Sequence, residues 1–229
     1  MFAFRDSREG DVSRLRVDVA FTDSSLDLQG LRDDFPQVLA RLEDELGVPL
    51  ARASQVHGDE VLVVDAPIPL GHAPTADALV TRTRGLGLMV RVADCVPLVL
   101  ADVEAGVVGA VHSGRPGMVL DIATRAVEVM REQGASEIAA WLGPHVCGAC
   151  YEVPEQMRAE VSAVVPEAYA ETSWGTPSVD VGAGVRAQLE RAGVEVVEVG
   201  GCTREDQGLH SYRRDGSAAG RFAGLVWVS

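Results

Sequence analysis

Short apolar runs separated by glycine- and proline-rich turns dominate the chain, and four stretches carry helical periodicity instead. Residues 14–22 alternate well enough for a strand. Between 34 and 47, Phe35, Val38, Leu39, Leu42 and Leu46 recur at helical spacing, with Pro36 near the start and Gly47 just past the end, where a helix tolerates them. Strand patterns cover 51–56, 60–65, 76–81, 86–92, 96–100 and 107–111, and the Pro/Gly/Ala-rich stretch 66–76 predicts a loop. Residues 113–117 read as a Gly/Pro turn into a helix over 119–133, with Ile122, Ala126, Val129 and Met130 on one stripe. A short strand over 138–142, a loop over 143–150 and a helix over 154–164 follow. Residues 165–178 read as irregular, 179–192 as a helix stopped by Gly193, and 194–199 as a strand. The Arg-rich stretch 207–216 predicts a hairpin turn at Asp215-Gly216, and 223–228 a closing strand apolar enough to be central. Met1–Arg8 is assigned no element. The pattern predicts one domain over residues 1–229, α/β or α+β, built on a mixed β-sheet flanked by helices.

At 229 residues with 47% apolar content, the chain can bury a sizeable core. No run approaches the roughly 18 apolar residues of a membrane span, and the N-terminus lacks a signal peptide's apolar stretch. A cytoplasmic monomer that engages no membrane is the expectation. The formal charge of −14 argues against a nucleic-acid partner, although all 20 basic residues are arginines and a local cluster of them would still hold an anion. Disulfides are not expected in a cytosolic chain. Cys147 and Cys150 form a lone C-x-x-C, which reads equally as redox-active, metal-binding with His145 as a candidate third ligand, or incidental; without a second cysteine pair, a four-cysteine zinc site has no support.

The chemistry concentrates at Val92–Leu100, an apolar stretch interrupted by Asp94 and Cys95. A second apolar stretch ends in His112, and Ser54-Gln-Val-His-Gly58 supplies His57. Two histidines and a cysteine make a sensible zinc set, since a catalytic zinc uses three protein ligands and keeps a position for water or substrate. Spacing alone leaves open a core cysteine and two ordinary surface histidines. Asp94 and Asp77 are acid–base or supporting carboxylates, or in the plainer reading turn residues. Arg115, Arg213 and Arg214 would grip a phosphate through their donor forks, with Tyr212 stacking on a base; Arg213 and Arg214 as solvated charges is the alternative. His72 reads as solvent-facing, and His210 has no assigned role.

Six ordered motifs carry a resemblance. They are Gln55-Val-His-Gly58; Ala76-Asp-Ala-Leu-Val-Thr81; Ala93-Asp-Cys95 with Pro97; Ala110-Val-His112; Trp141-Leu-Gly-Pro144 with Cys150-Tyr-Glu152; and Ser211-Tyr-Arg-Arg-Asp-Gly216. In that order they resemble the YfiH-type family, also called multicopper polyphenol oxidases or laccase-domain proteins and now regarded as purine nucleoside phosphorylases. The resemblance runs from about residue 18 to the C-terminus. It implies a zinc ion on His57, Cys95 and His112. It also implies phosphorolysis of adenosine, inosine, guanosine and methylthioadenosine, with purine nucleosides and phosphate as partners, and deamination of adenosine. Arg115 and Arg213 would hold phosphate and Asp94 would shuttle protons. Where the family carries His-Ala-Gly-Trp-Arg-Gly, this chain has His112-Ser-Gly-Arg-Pro-Gly117, so the tryptophan is lost and the arginine moves one place earlier. The glycine-rich loop before Ser25-Leu-Asp27 is also shortened. Five histidines are too few for a multicopper oxidase.

Two other readings remain at this level. A metal-independent hydrolase would use Cys95 as nucleophile, His112 as base and Asp94 or another polar group as orienter; the fold is sometimes grouped with a toxin cysteine deamidase. A degenerate nucleotide-binding protein would account for the altered loop after His112.

Overall fold

The computed structural model describes residues 1–229. In chain order the elements are β1 (Phe2–Glu9), β2 (Arg16–Thr22), α1 (Phe35–Leu46), β3 (Leu50–Arg52), β4 (Val61–Val63), β5 (Ala78–Thr81), β6 (Gly87–Val92) and β7 (Val96–Asp102). There follow β8 (Val107–Ser113), α2 (Arg115–Val119), α3 (Ile122–Glu132), β9 (Ala139–Leu142), α4 (Glu155–Val164), β10 (Tyr169–Glu171) and β11 (Pro177–Val179). The last are α5 (Val181–Arg191), β12 (Glu195–Glu198), α6 (Tyr212–Asp215) and β13 (Phe222–Val228).

The fold is mixed α/β, as the pattern predicts, but the strands form two principal sheets rather than one. The first runs β1-β2-β13-β6-β3 and the second β12-β9-β7-β8-β5-β4. Both are mixed: β3 joins β6 in parallel and β12 joins β9 in parallel, while their central pairs are antiparallel. The sheets lie face to face. Val19, Phe21, Leu88, Val90 and Val226 of the first meet Leu79, Val99, Val108, Ala110 and Trp141 of the second in one buried cluster. Outside the first sheet, α1 lays Phe35, Leu39 and Leu42 against Met89, Leu225 and Trp227. Outside the second, Ile122, Ala126 and Met130 of α3 and Val185 and Leu189 of α5 cover Val96, Leu98, Leu100 and Val111.

This layering explains the near-continuous apolar runs. Alternate side chains of β7 face opposite cores, Val99 toward the partner sheet and Leu98 and Leu100 toward the helices, so every residue of the strand is buried. β13 behaves likewise and is interior to its sheet, as its composition predicts.

Five local expectations are corrected. Phe2–Glu9 forms edge strand β1; its outer half is polar because Asp6 accepts from Trp141 Nε1 at 2.8 Å and Arg8 pairs with Glu195, partners far away in sequence. The predicted turn at 113–117 starts α2, because Pro116 sits in the first turn, where its missing N–H costs nothing. The predicted helix 119–133 is broken at Asp121, whose φ of 59° is left-handed and whose carboxylate caps Thr124 to restart the chain as α3. Residues 165–178 hold the β10–β11 hairpin, and the expected hairpin turn at Asp215-Gly216 is the end of α6.

Candidate metal centre and active site

Residues 93–95 are where the chain passes from β6 in one sheet to β7 in the other. Such a crossing must bend, and Asp94 takes it up with φ of 86°. The bend delivers Cys95 to the mouth of the seam between the sheets. His112 arrives from the end of β8, opposite Pro97 in register. His57 arrives from the loop after β3, itself in a left-handed conformation with φ of 63°.

The three predicted ligands converge: one ligand atom from each of His57, Cys95 and His112 lies within 4.8 Å of the other two. Cys95 Sγ is 3.6 Å from His57 Nε2, and the two imidazoles meet edge-on with centroids 4.7 Å apart. Asp77 organises both histidines. Its Oδ1 is 2.7 Å from His112 Nδ1, which fixes that nitrogen as the donor and makes Nε2 the nitrogen that a metal would take once its proton is displaced. Asp77 also accepts from the backbone N–H groups of Val56 (3.1 Å), His57 (2.9 Å) and Gly58 (2.8 Å), holding the strained His57 turn. Burial works against the charged carboxyl, but His112 and these N–H donors outweigh it and hold Asp77 below its ordinary range.

Electrostatics within the cluster are reciprocal. Burial opposes charge on both Cys95 and His112, yet each stabilises the other's ion. The thiol falls to about 6 and the imidazole, also backed by Asp77, rises to about 9. Without a cation the pair is a thiolate and an imidazolium at neutral pH. Two neutral imidazole nitrogens and a thiolate, oriented by a carboxylate behind one of them, are the donor chemistry a borderline divalent ion takes, so the residues fit a metal.

Close approach at this cluster depends on Gly114. A Cβ there would lie 2.5 Å from His57 Cδ2 and 3.1 Å from Cys95 Sγ. The altered loop after His112 thus keeps a glycine where the site has no room for a side chain.

The cluster opens into a cleft of about 680 Å³, within the roughly 300–1,000 Å³ usual for small-molecule sites. Arg115, Arg213, Arg221, Tyr151 and Tyr212 line it. A smaller cleft lined by Gln55, Arg91 and Arg221 meets it at His57 and Cys95. Arg115 and Arg213 have no carboxylate partner among the protein's ion pairs; Arg213 lies over the Tyr151 ring at 4.6 Å. Desolvation, with Arg52 and Arg221 nearby, lowers Arg91 to about 10. In a chain of charge −14, these walls are locally positive.

Other sequence candidates fall elsewhere. Asp94 is buried and makes no hydrogen bond to His57, Cys95 or His112. It accepts from Thr203 Oγ1 (2.6 Å), Ser211 Oγ (2.7 Å) and the Arg213 N–H (2.6 Å). The carboxylate behind His112 is therefore Asp77, not Asp94. Arg214 is consumed internally by the carbonyls of Thr203, Asp206 and Leu209 and by Asp215, so it is not available for phosphate. His210 bonds the Leu26 carbonyl and His72 is exposed. His145 bonds the Gly143 carbonyl and does not join Cys147 and Cys150, whose companions are Cys202 and Glu205. Sequence reasoning missed Arg221, whose only signal was its closeness to the Tyr212-Arg-Arg motif, and gave Tyr151 no role. No helix is long and apolar enough to cross a membrane.

A family model described as multi-copper polyphenol oxidoreductase laccase matches residues 3–229. A Streptomyces coelicolor protein named purine nucleoside phosphorylase is 49% identical over 99% of this chain and 95% of its own length. A Streptomyces griseus protein of the same name is 48% identical over 99% and 94%. A crystal structure from Neisseria meningitidis superposes with a TM-score of 0.81 at 26% identity, covering 98% of this chain and 99% of that one.

Proposed function

The chain belongs to the multi-copper polyphenol oxidoreductase laccase family, and on that premise we propose that it is a zinc-dependent purine nucleoside phosphorylase. The observation that carries the reading is the His57–Cys95–His112 cluster at the base of a cleft walled by arginines without carboxylate partners. The names of the two Streptomyces relatives support it. The oxidase description suits the cluster poorly. Only two histidines are present at it, fewer than a multicopper centre draws on, and no methionine lines either cleft as an axial copper ligand would.

His57, Cys95 and His112 would hold the ion, which when bound supplies Lewis-acid chemistry and an activated water. Asp77 keeps His112 in the tautomer that donates from Nε2. Arg115 and Arg213 grip phosphate, and Arg221 adds charge where the two clefts meet. Tyr151 and Tyr212 flank the purine. In phosphorolysis a phosphate oxygen bonds to the ribose anomeric carbon as the bond from that carbon to the purine nitrogen breaks. The base leaves with the proton that phosphate gives up, and ribose 1-phosphate remains, or its 5-methylthio analogue from methylthioadenosine. The two arginines neutralise the incoming anion and orient it. Asp94, with its oxygens occupied, positions Arg213 rather than shuttling protons. Adenosine, inosine, guanosine and methylthioadenosine are the substrates proposed, with adenosine deamination as a second reaction of the same centre.

One observation favours a second reading: Cys95, His112 and Asp77 also line up as nucleophile, base and orienter. The test separates the two. Zinc-loaded protein is given each nucleoside with and without phosphate, and free base, ribose 1-phosphate and inosine are measured. Phosphate-dependent ribose 1-phosphate that disappears on chelation, returns with zinc and is absent in His112→Ala supports phosphorolysis. Phosphate-independent formation of inosine from adenosine identifies deamination. Turnover indifferent to chelation but abolished by thiol alkylation supports the hydrolase. No turnover of any nucleoside refutes the proposal.

A further inference from the structure

Beyond the cleft wall, the loop after β9 and the loop after β12 run side by side. His145 and Cys202 form a parallel backbone bridge, and the Thr203 N–H donates to the His145 carbonyl at 3.0 Å. The pairing brings Cys147 and Cys150 against Cys202 and adds Glu205. One ligand atom from each of these four residues lies within 4.8 Å of the other three. Cys150 Sγ is 3.4 Å from Glu205 Oε1, and the Cys147 N–H donates to Cys202 Sγ at 3.5 Å. No disulfide joins them.

We propose that Cys147, Cys150, Cys202 and Glu205 form a second, structural metal site for a thiophilic divalent cation, zinc by preference. Zinc bonds of about 2.3 Å to sulfur and 2.0–2.2 Å to oxygen put tetrahedral ligand atoms roughly 3.4–3.8 Å apart, and this array needs little adjustment to reach that. The C-x-x-C spacing is that of structural zinc loops, and an amide donating to a thiolate sulfur is the support such a loop supplies. Loading is a ligand exchange without redox change: three thiol protons leave to solvent as three metal–sulfur bonds form. Four anionic ligands around a doubly charged ion leave an excess of negative charge, and Arg204, Arg213 and Arg214 line the adjoining pocket with Cys150 and Glu205.

The site shares no ligand with the His57 cluster, and the inference does not rest on the proposed activity. Its consequence reaches the cleft nonetheless. Tyr151 directly follows Cys150 and carries Arg213 on its ring, while Arg214 ties α6 to the Thr203 and Asp206 carbonyls. The ion would brace the wall that presents Tyr151 and Arg213.

The test uses Cys95→Ser full-length protein, in which every remaining cysteine belongs to the second cluster. Reduced protein is titrated with cobalt(II), and zinc content is measured after zinc loading and dialysis. Thiolate-to-cobalt charge-transfer absorption and about one zinc per chain are expected, both lost on adding Cys202→Ser. Glu205→Gln alters an exposed side chain that the fold does not need. It should weaken binding by at least the roughly tenfold that loss of an outer-shell partner costs. The proposal is overturned by absence of the cobalt band in Cys95→Ser, by its persistence in Cys202→Ser, or by unchanged affinity in Glu205→Gln.

Discussion

Asp77→Asn removes one charge from the site while keeping the shape of the side chain. Oδ1 of Asp77 receives His57 N–H and His112 Nδ1, and Oδ2 receives the N–H groups of Val56 and Gly58. An asparagine has one acceptor oxygen, so its NH2 must face donors on one side. Turned toward Val56 and Gly58, it strands two backbone N–H groups, at about 1–3 kcal/mol each. Turned toward His112, it strands the His57 N–H and forces the imidazole to accept at Nδ1. The proton then moves to Nε2, the atom that would bind the metal. The first orientation loosens the turn that holds His57 and removes the carboxylate charge behind His112, the second also reverses the tautomer, and zinc affinity should fall by roughly 10–100-fold, or about 1.4–2.7 kcal/mol. Stability of the metal-free protein should fall by about 2–4 kcal/mol. Competition with a zinc chelator measures the first, and denaturant unfolding with excess chelator the second. Zinc affinity within about twofold of wild type would refute the role assigned to Asp77 and the tautomer argument with it.

Gly114→Ala places a methyl 2.5 Å from His57 Cδ2; because His57 is exposed and can swing away, zinc and turnover should be lost at a stability cost of only about 1–3 kcal/mol, read by elemental analysis beside thermal unfolding. Asp94→Asn tests positioning against proton transfer: activity should stay within about tenfold of wild type, whereas loss of a general acid or base would cost roughly 10²–10⁴-fold. In metal-free protein, alkylation of Cys95 should rise with pH through a midpoint near 6, because the thiolate forms there rather than at the ordinary 9.0. Adding zinc should protect the thiol, and His112→Ala should move the midpoint upward by removing the imidazolium. A midpoint already near 9.0 in the wild type would contradict the pairing. Arg115→Met and Arg213→Met should each raise the KM for phosphate by about 10–100-fold, the worth of a charge-assisted hydrogen bond, with the KM for nucleoside changed less.

Much of this protein was legible without coordinates. Periodicity located α1, α4, α5 and nearly every strand of the two sheets, because burial on one face or both imposes a pattern on adjacent residues. The convergence of His57, Cys95 and His112 was only partly legible: each ends or interrupts an apolar run, where a side chain leaves the core for a cleft, but it took the ordered motifs of the family to single these three out. What the chain does not write locally is which runs share a sheet. The apolar stretches of β7 and β13 look alike, and only their hydrogen-bonded neighbours decide that they lie in different layers. Polar partnerships at long range were equally silent. Asp94 and Asp77 look interchangeable as carboxylates beside apolar strands, yet one is satisfied by Thr203 and Ser211 and the other by His112. The β1 edge reads as no element because Asp6 and Arg8 find their partners in Trp141 and Glu195. The lone C-x-x-C became part of a four-residue cluster only when Cys202 and Glu205 arrived from another loop. A residue's local environment sets its burial, and that shows in sequence; the charge or hydrogen bond it meets is supplied by whichever segment the fold brings alongside.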